Sequence, residues 1–300
     1  MIRSPVHSLG ANNEQLLQGI LNNLSQIFSR GLLRIILDKP FSTIHFIFRC
    51  STGDIPEFYW SYVIKESYAE ISDELKKLIL LVKERGDIQE SMLEFIARHI
   101  ASKIIRAKID VPFTLPTKGI IVDIGSGYLT GPSRFLVKHA MVNKGVTLYL
   151  VDNRVLIADV IRRILRLIGS PRNIILKCVD IRSLLVSNAD LITLLFTLHE
   201  ATDELRKAEF LRYIGRAKIN RCILYDNLVV LRGILRSVHR IIGESGRLIV
   251  LDKEMDEFGL KFVGELVINE GFRVIRSEYI NNKFLVEAKK LLDRKIQSVI

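Results

Sequence analysis

The chain of 300 residues has little cysteine and no place where cysteines gather. Cys50, Cys178 and Cys222 lie far apart, with no CxxC pair and no Cys/His cluster. A disulfide framework and a zinc site are therefore both unsupported, and the three thiols read as buried apolar groups in a reducing compartment. Long hydrophobic runs are missing too. Leu191–Leu198 is among the longest and is only strand-sized, and the N-terminus places Asn12, Asn13, Glu14 and Gln15 where a signal peptide needs an apolar stretch. The expectation is a soluble cytoplasmic protein with no membrane partner. No low-complexity tract and no internal repeat stands out. The strict GxGxxG dinucleotide fingerprint fails as well, which disfavours an NAD site.

What is present is ample core material: 48% hydrophobic against 26% charged residues, a balance that folds. The formal net charge of +11 is unevenly placed. Residues 1–115 are close to neutral at +1, whereas 116–300 carry +10, and the segment 206–240 alone carries +7. Such a patch could meet RNA or an anionic substrate. The favoured reading is the solvated face of amphipathic helices, because these residues are spaced and not packed in a run. Only five glutamines are present, a weak compositional hint of heat adaptation.

Periodicity divides the chain. Residues 1–112 read as helical. Apolar residues recur with a 3.6-residue period from Leu16 to Phe28, Glu57–Arg85 reads as a second helix closed by Gly86, and Ile88–Ile109 as a third. Phe58, Tyr59, Trp60, Tyr62 and Tyr68 fit a helix core or a lid over a planar substrate. Pro112 and Pro116 mark a boundary, with a second domain over 113–300. From Gly119 short apolar strands alternate with helices, at 120–124, 147–151, 174–179, 191–196 and 248–251, and the chain ends in a hairpin turning at Ile280-Asn281-Asn282. Between them, helices are expected at 132–141 (Pro132 in its first position), 155–168 (closed by Gly169), 203–216, 226–242 and 257–269. This pattern predicts a parallel sheet with helices on both faces, finished by an antiparallel pair.

Three acids end successive strands in that pattern. Asp123 opens the turn Asp123-Ile124-Gly125-Ser126-Gly127, Asp152 follows Tyr149-Leu150-Val151, and Asp180 follows Cys178-Val179. Glycines at the first turn let a backbone approach a ligand, and a carboxylate at the second can accept from two ribose hydroxyls. Each acid alone is also an ordinary helix cap.

With VDIGSG, YLVDN, CVDI, ADLITLLFTLHEA and LRGILRSVHRIIGESGRLIVLDKE in this order, residues 118–290 resemble a class I S-adenosylmethionine-dependent methyltransferase. The resemblance departs at the missing third glycine, at the reduced turn Gly243-Glu244-Ser245-Gly246, and in about 20 extra residues before the fifth strand. It implies an α/β, Rossmann-like, doubly wound seven-stranded sheet with an antiparallel C-terminal hairpin, and S-adenosyl-L-methionine as cofactor. It implies that Gly125, Ser126 and Gly127 lie against the cofactor's methionine part and that Asp123 holds its ammonium. Asp152 with Asn153 would receive the ribose, Asp180 with the Ile181 amide the adenine, and Phe196 and Thr197 would wall the methionine side. His199 and Glu200 are the candidates for proton chemistry, the alternative being a turn that only shapes the pocket. No metal is implied.

The first acceptor class is a small molecule. RNA through the basic segment is second, although neither a [DNS]PP[FYW] sequence after the fourth strand nor a Pro-Cys nucleophile is present. A non-catalytic cofactor-binding scaffold is the reading from another class, motivated by the altered glycine loop. The sequence does not indicate an oligomeric state.

Overall fold

A computed structural model describes residues 86–202, 205, 219 and 221–291. The expected helices before residue 86 and at 203–216, the aromatic run 58–68, Cys50, and most of the basic segment's first half lie outside the described residues. Two compact units are present. Of the described residues, one holds 86–106 with 159–170 and the other holds 107–158 with the remainder.

In the first unit, helix α1 spans Gly86–Arg106. Leu93, Ile96, Ala97, Ile100, Ala101 and Ile104 are buried, the i, i+3, i+4, i+7 stripe of an amphipathic helix. Gly86, expected to close a preceding helix, is itself helical. Further along the unit, Arg98 donates to Glu94 at 2.6 Å, one helical turn apart. His99 has its pKa lowered to about 4, first by burial and then by the Lys103 charge.

The second unit is built on one seven-stranded sheet. Its strands are β1 (Gly119–Ile124), β2 (Val146–Asp152), β3 (Ile174–Cys178), β4 (Ala189–Leu195), β5 (Ile242–Lys253), β6 (Phe272–Ile280) and β7 (Lys283–Lys290). They lie in the order β3-β2-β1-β4-β5-β7-β6. The first five run parallel, and β7 pairs antiparallel with both β5 and β6. This is the Rossmann-like doubly wound sheet with an antiparallel C-terminal hairpin that the sequence implied. The strand sequence steps outward from β1 to β3, then returns to β4 on β1's other side. That reversal leaves a switch point at the carboxyl ends of β1 and β4.

Helices α2 (Ser133–Val142), α3 (Val155–Leu167), α4 (Arg221–Asp226), α5 (Leu228–Ile241) and α6 (Leu260–Asn269) supply the connections. Within this unit α2 packs on β2 and β3, α5 on β5, and α6 on β6 and β7. The central strands are buried on both sides: Ile192, Leu194, Leu248 and Val250 on one face, and Leu191 and Ile249 on the other, are fully covered, each contributing about 1.5–3 kcal/mol on burial. None of the described helices is long and apolar enough to cross a membrane.

Several boundaries move. Pro132 is the N-cap of α2 and not its first residue. The expected helix at 226–242 is α5, which starts at Leu228; α4 precedes it over Arg221–Asp226, where no helix was expected, and the two part at Asn227, whose side chain donates to the Ile223 carbonyl. The expected helix at 257–269 starts only at Leu260, because Met255 and Phe258 pair across a tight turn first. The turn at 243–246 lies inside β5. Ala189 and Leu191 on β4 face Ile242 and Arg247, so the four residues between loop out as a bulge. Asn281 and Asn282 both have positive φ, at 44° and 58°, the backbone a two-residue type I′ hairpin demands. The Pro112–Pro116 stretch is tied down: Arg276 donates to the Pro112 carbonyl and Arg247 to the Thr114 carbonyl. The two described thiols are not buried as expected. Cys222 is exposed on α4 and Cys178 half-buried at the end of β3.

Candidate functional site

A cavity of about 400 Å³ opens at the carboxyl ends of β1 to β4, beside the switch point. Its size suits a nucleoside-sized ligand. Of the residues singled out in the sequence, Gly125, Asp152, Asn153, Asp180, Ile181, Phe196, Thr197 and Glu200 line it. Arg154, Arg182, Val229 and Val230 join them. Asp123, Ser126, Gly127 and His199 do not.

Each wall has a local cause. Gly125 turns with φ +69°, and a Cβ there would come within 2.5 Å of Thr197. Only glycine therefore lets the β1 turn lie against the β4 turn. Thr197 donates from Oγ1 to the Ile124 carbonyl at 2.9 Å, which pins the two turns together. Ser126 is a stitch: its hydroxyl donates to the Asp123 carbonyl at 2.9 Å and accepts from the Val151 amide at 3.1 Å. Gly127, with φ +52°, would bring a Cβ only into ordinary contact with the Gly125 carbonyl oxygen at 3.9 Å; its amide donates to Asp152 Oδ2 at 3.1 Å. Phe196 adopts φ +57° as β4 ends, and Lys283 stacks on its ring at 5.1 Å.

Asp152 is buried, and each of its oxygens accepts two donors. Oδ1 takes the Arg154 amide at 3.1 Å and Arg154 Nε at 3.0 Å; Oδ2 takes Arg154 Nη2 and the Gly127 amide, both at 3.1 Å. Asp180 repeats the motif one strand over. Oδ1 accepts the Arg182 amide at 2.8 Å and Nε at 2.9 Å, and Oδ2 accepts Nη2 at 2.8 Å. The Arg182 hydrogen bond, helped by its charge, holds the Asp180 carboxyl below its ordinary range.

Asp123 is sealed inside the sheet. Thr193 Oγ1 donates to its Oδ1 at 2.7 Å, and among the described residues Oδ2 has no hydrogen-bond partner. Burial pushes its pKa up to about 6, against the pull of the Thr193, Ser133 and Ser126 hydroxyls. His199 is sealed as well, at 1% exposure. Its Nδ1 donates to Asp252 Oδ1, and Asp252 Oδ2 accepts the Leu198 and His199 amides at 3.1 and 3.3 Å. Nε2 lies 3.7 Å from Glu200 Oε1. Since a carboxylate only accepts, Nδ1 carries a proton here, and Nε2 faces Glu200.

Sequence reasoning missed Asp252, although it ends an apolar strand as the three flagged acids do. It also missed Arg154 and Arg182, whose signal is a twice-occurring Asp-x-Arg. In the basic segment, Arg232 and Arg236 both grip Glu270. Burial would raise that carboxyl, and the two guanidiniums hold it below its usual range. Arg240 donates to the Arg182 carbonyl. Two other histidines are structural: His139 bonds the Pro116 carbonyl at 2.7 Å, and His239 meets Phe272 edge-on. The described residues contain no cluster suited to a metal ion.

No family model matches the chain, and no curated protein does. Solved structures resemble it at low identity. A SAM-dependent methyltransferase from Aquifex aeolicus is 16% identical, with a TM-score of 0.42 over 59% of this chain and 85% of that one. An O-methyltransferase from neocarzinostatin biosynthesis, in complex with S-adenosylmethionine and 2-hydroxy-5-methyl naphthoic acid, is 15% identical, with a TM-score of 0.47 over 80% and 69%. The mitomycin 7-O-methyltransferase is 17% identical, with a TM-score of 0.42 over 70% and 60%. At these values the likeness assigns no chemistry to this chain.

Proposed function

We propose that the cavity binds S-adenosylmethionine and that the protein transfers the methyl group to a small-molecule acceptor. One observation carries this reading. The β1 turn at Gly125, Asp152 and Asp180 come from three successive strand ends and converge on one cavity at the switch point. A glycine without a Cβ, a buried acceptor and a more exposed acceptor are what a nucleoside with an amino-acid tail needs along its length. The fit is one of donor and acceptor chemistry: Asp152 would take the ribose hydroxyls, Asp180 the adenine amino group, and Phe196 with Thr197 the thioether side.

The cofactor supplies an electrophilic methyl on sulfur. The chain's task is to align the acceptor and keep water out. Glu200 is the ionisable group of the proton-chemistry pair that reaches the cavity, so it would take the acceptor's proton. His199 would act behind it, held by Asp252. The apolar wall from Val229, Val230 and Ile234 suits a small organic acceptor.

The test is calorimetric titration of S-adenosylmethionine and S-adenosylhomocysteine into the full chain. Saturable one-to-one binding of both is expected. Absence of binding for both overturns the reading.

A further inference from the structure

Asp152 cannot accept a ribose diol as it stands. A carboxylate offers about four acceptor positions, and Asp152 fills four: two with backbone amides, two with the Arg154 side chain. The side-chain bonds fall one on each oxygen, Nε on Oδ1 and Nη2 on Oδ2. Withdrawing the guanidinium would free one position per oxygen and leave both amides in place. Two neighbouring acceptor positions on two oxygens are what a vicinal diol requires. Asp180 differs, because its three bonds leave one position open on Oδ2, enough for a single ligand N–H without moving Arg182.

We propose that Arg154 is a resident stand-in for the ligand's vicinal diol: its fork must leave Asp152 before the ribose can bind, and this exchange sets the affinity and sugar specificity of the site. The inference rests on an adenosine ligand occupying the cavity. Arg154 lines that cavity and its side chain is 30% exposed, so the guanidinium has room to leave the carboxylate, whereas the Asp152 side chain is 2% exposed and stays. The apparent affinity is then the intrinsic affinity multiplied by the fraction of molecules with Arg154 withdrawn.

The experiment titrates S-adenosylhomocysteine, adenosine and 2′,3′-dideoxyadenosine into wild type, Arg154→Ala and Arg154→Lys. If Arg154 rests on Asp152 in about nine molecules of ten, Arg154→Ala tightens S-adenosylhomocysteine and adenosine by about tenfold. 2′,3′-Dideoxyadenosine, with no diol to exchange, is unchanged. Arg154→Lys keeps the charge but cannot span both oxygens, so it also binds the diol ligands more tightly than wild type, and it carries the test if the alanine variant does not fold. Diol ligands that bind wild type but gain nothing, or weaken, in the variants overturn the exchange. An equal gain for the dideoxy compound overturns it too. If none of the three ligands binds any of the proteins, the adenosine reading falls first and the exchange falls with it.

Discussion

The carboxylates of the second unit fall into two groups that look alike in sequence. Asp152 and Asp180 end their strands facing the cavity; Asp123 and Asp252 are closed inside the sheet, each at 0% exposure. All four follow an apolar run. The open pair is neutralised by an arginine two residues on, and the sealed pair by groups brought in from β4 or the turn that follows it. The difference divides their work. A sealed acid is coupled to folding, because removing its partner or its charge changes the buried electrostatics. An open acid is coupled to ligand, because solvent or its own arginine can replace what it holds.

The largest effect that could break this division is at Asp252. Its carboxylate serves the His199 ring and three amides, those of Leu198, His199 and Lys253. Asp252→Ala would leave these donors buried without an acceptor and should cost about 3–5 kcal/mol. Urea denaturation followed by circular dichroism reads this directly. A loss below about 1 kcal/mol would place Asp252 among ordinary surface carboxylates and dissolve the sealed group.

Asp123 sharpens the same comparison through pH. Its folded pKa, about 6, lies above the ordinary carboxyl value of 3.8. A raised carboxyl pKa means that the folded state holds the proton more tightly. The stability linked to the neutral acid is complete below about pH 4 and is lost as pH rises through about 6. Asn mimics the neutral form at every pH. Asp123→Asn should therefore raise stability by about 2–3 kcal/mol at pH 8 and change it little at pH 4. Melting curves of both proteins at the two pH values check it; a gain independent of pH would show that the charge is not what the fold resists.

These sealed positions also show what the sequence could convey. The strands and the hairpin were legible because apolar runs, Gly-rich turns and the Asn281-Asn282 pair are local signals. The positions of Asp152 and Asp180 at strand ends were legible for the same reason. Which way an end faces was not. Asp123 sits one residue before Ile124, which lines the cavity, while Asp123 itself pairs inward with Thr193, 70 residues away. His199 and Asp252 meet across 53 residues, and no spacing rule links them. Glu200, adjacent to His199, reaches the cavity because the short turn Leu198–Glu200 rotates neighbouring side chains apart. Arg154 and Arg182 were visible letters, but their grip on the preceding acids depends on backbone that folds each arginine amide onto the same carboxylate.

The smallest effects lie within the open pair, and they test whether its two members are equivalent. Asp152 is asked for two hydroxyl bonds and Asp180 for one N–H bond. Hydrogen bonds to charged groups are the stronger kind, but exposure weakens them. Asp152 has a side-chain exposure of 2% and Asp180 one of 36%. Asp152→Ala should therefore weaken S-adenosylhomocysteine by about tenfold or more, and Asp180→Ala by only about threefold. Neither should move the urea midpoint by more than a fraction of Asp252→Ala, since both acids can be replaced at their arginines by water. Titration and denaturation on the same preparations decide it. If Asp180→Ala proves the more damaging for binding, the adenine contact and not the ribose contact anchors the ligand. Should either substitution unfold the protein, its acid belongs with the sealed group, and facing the cavity is the wrong criterion for dividing the four.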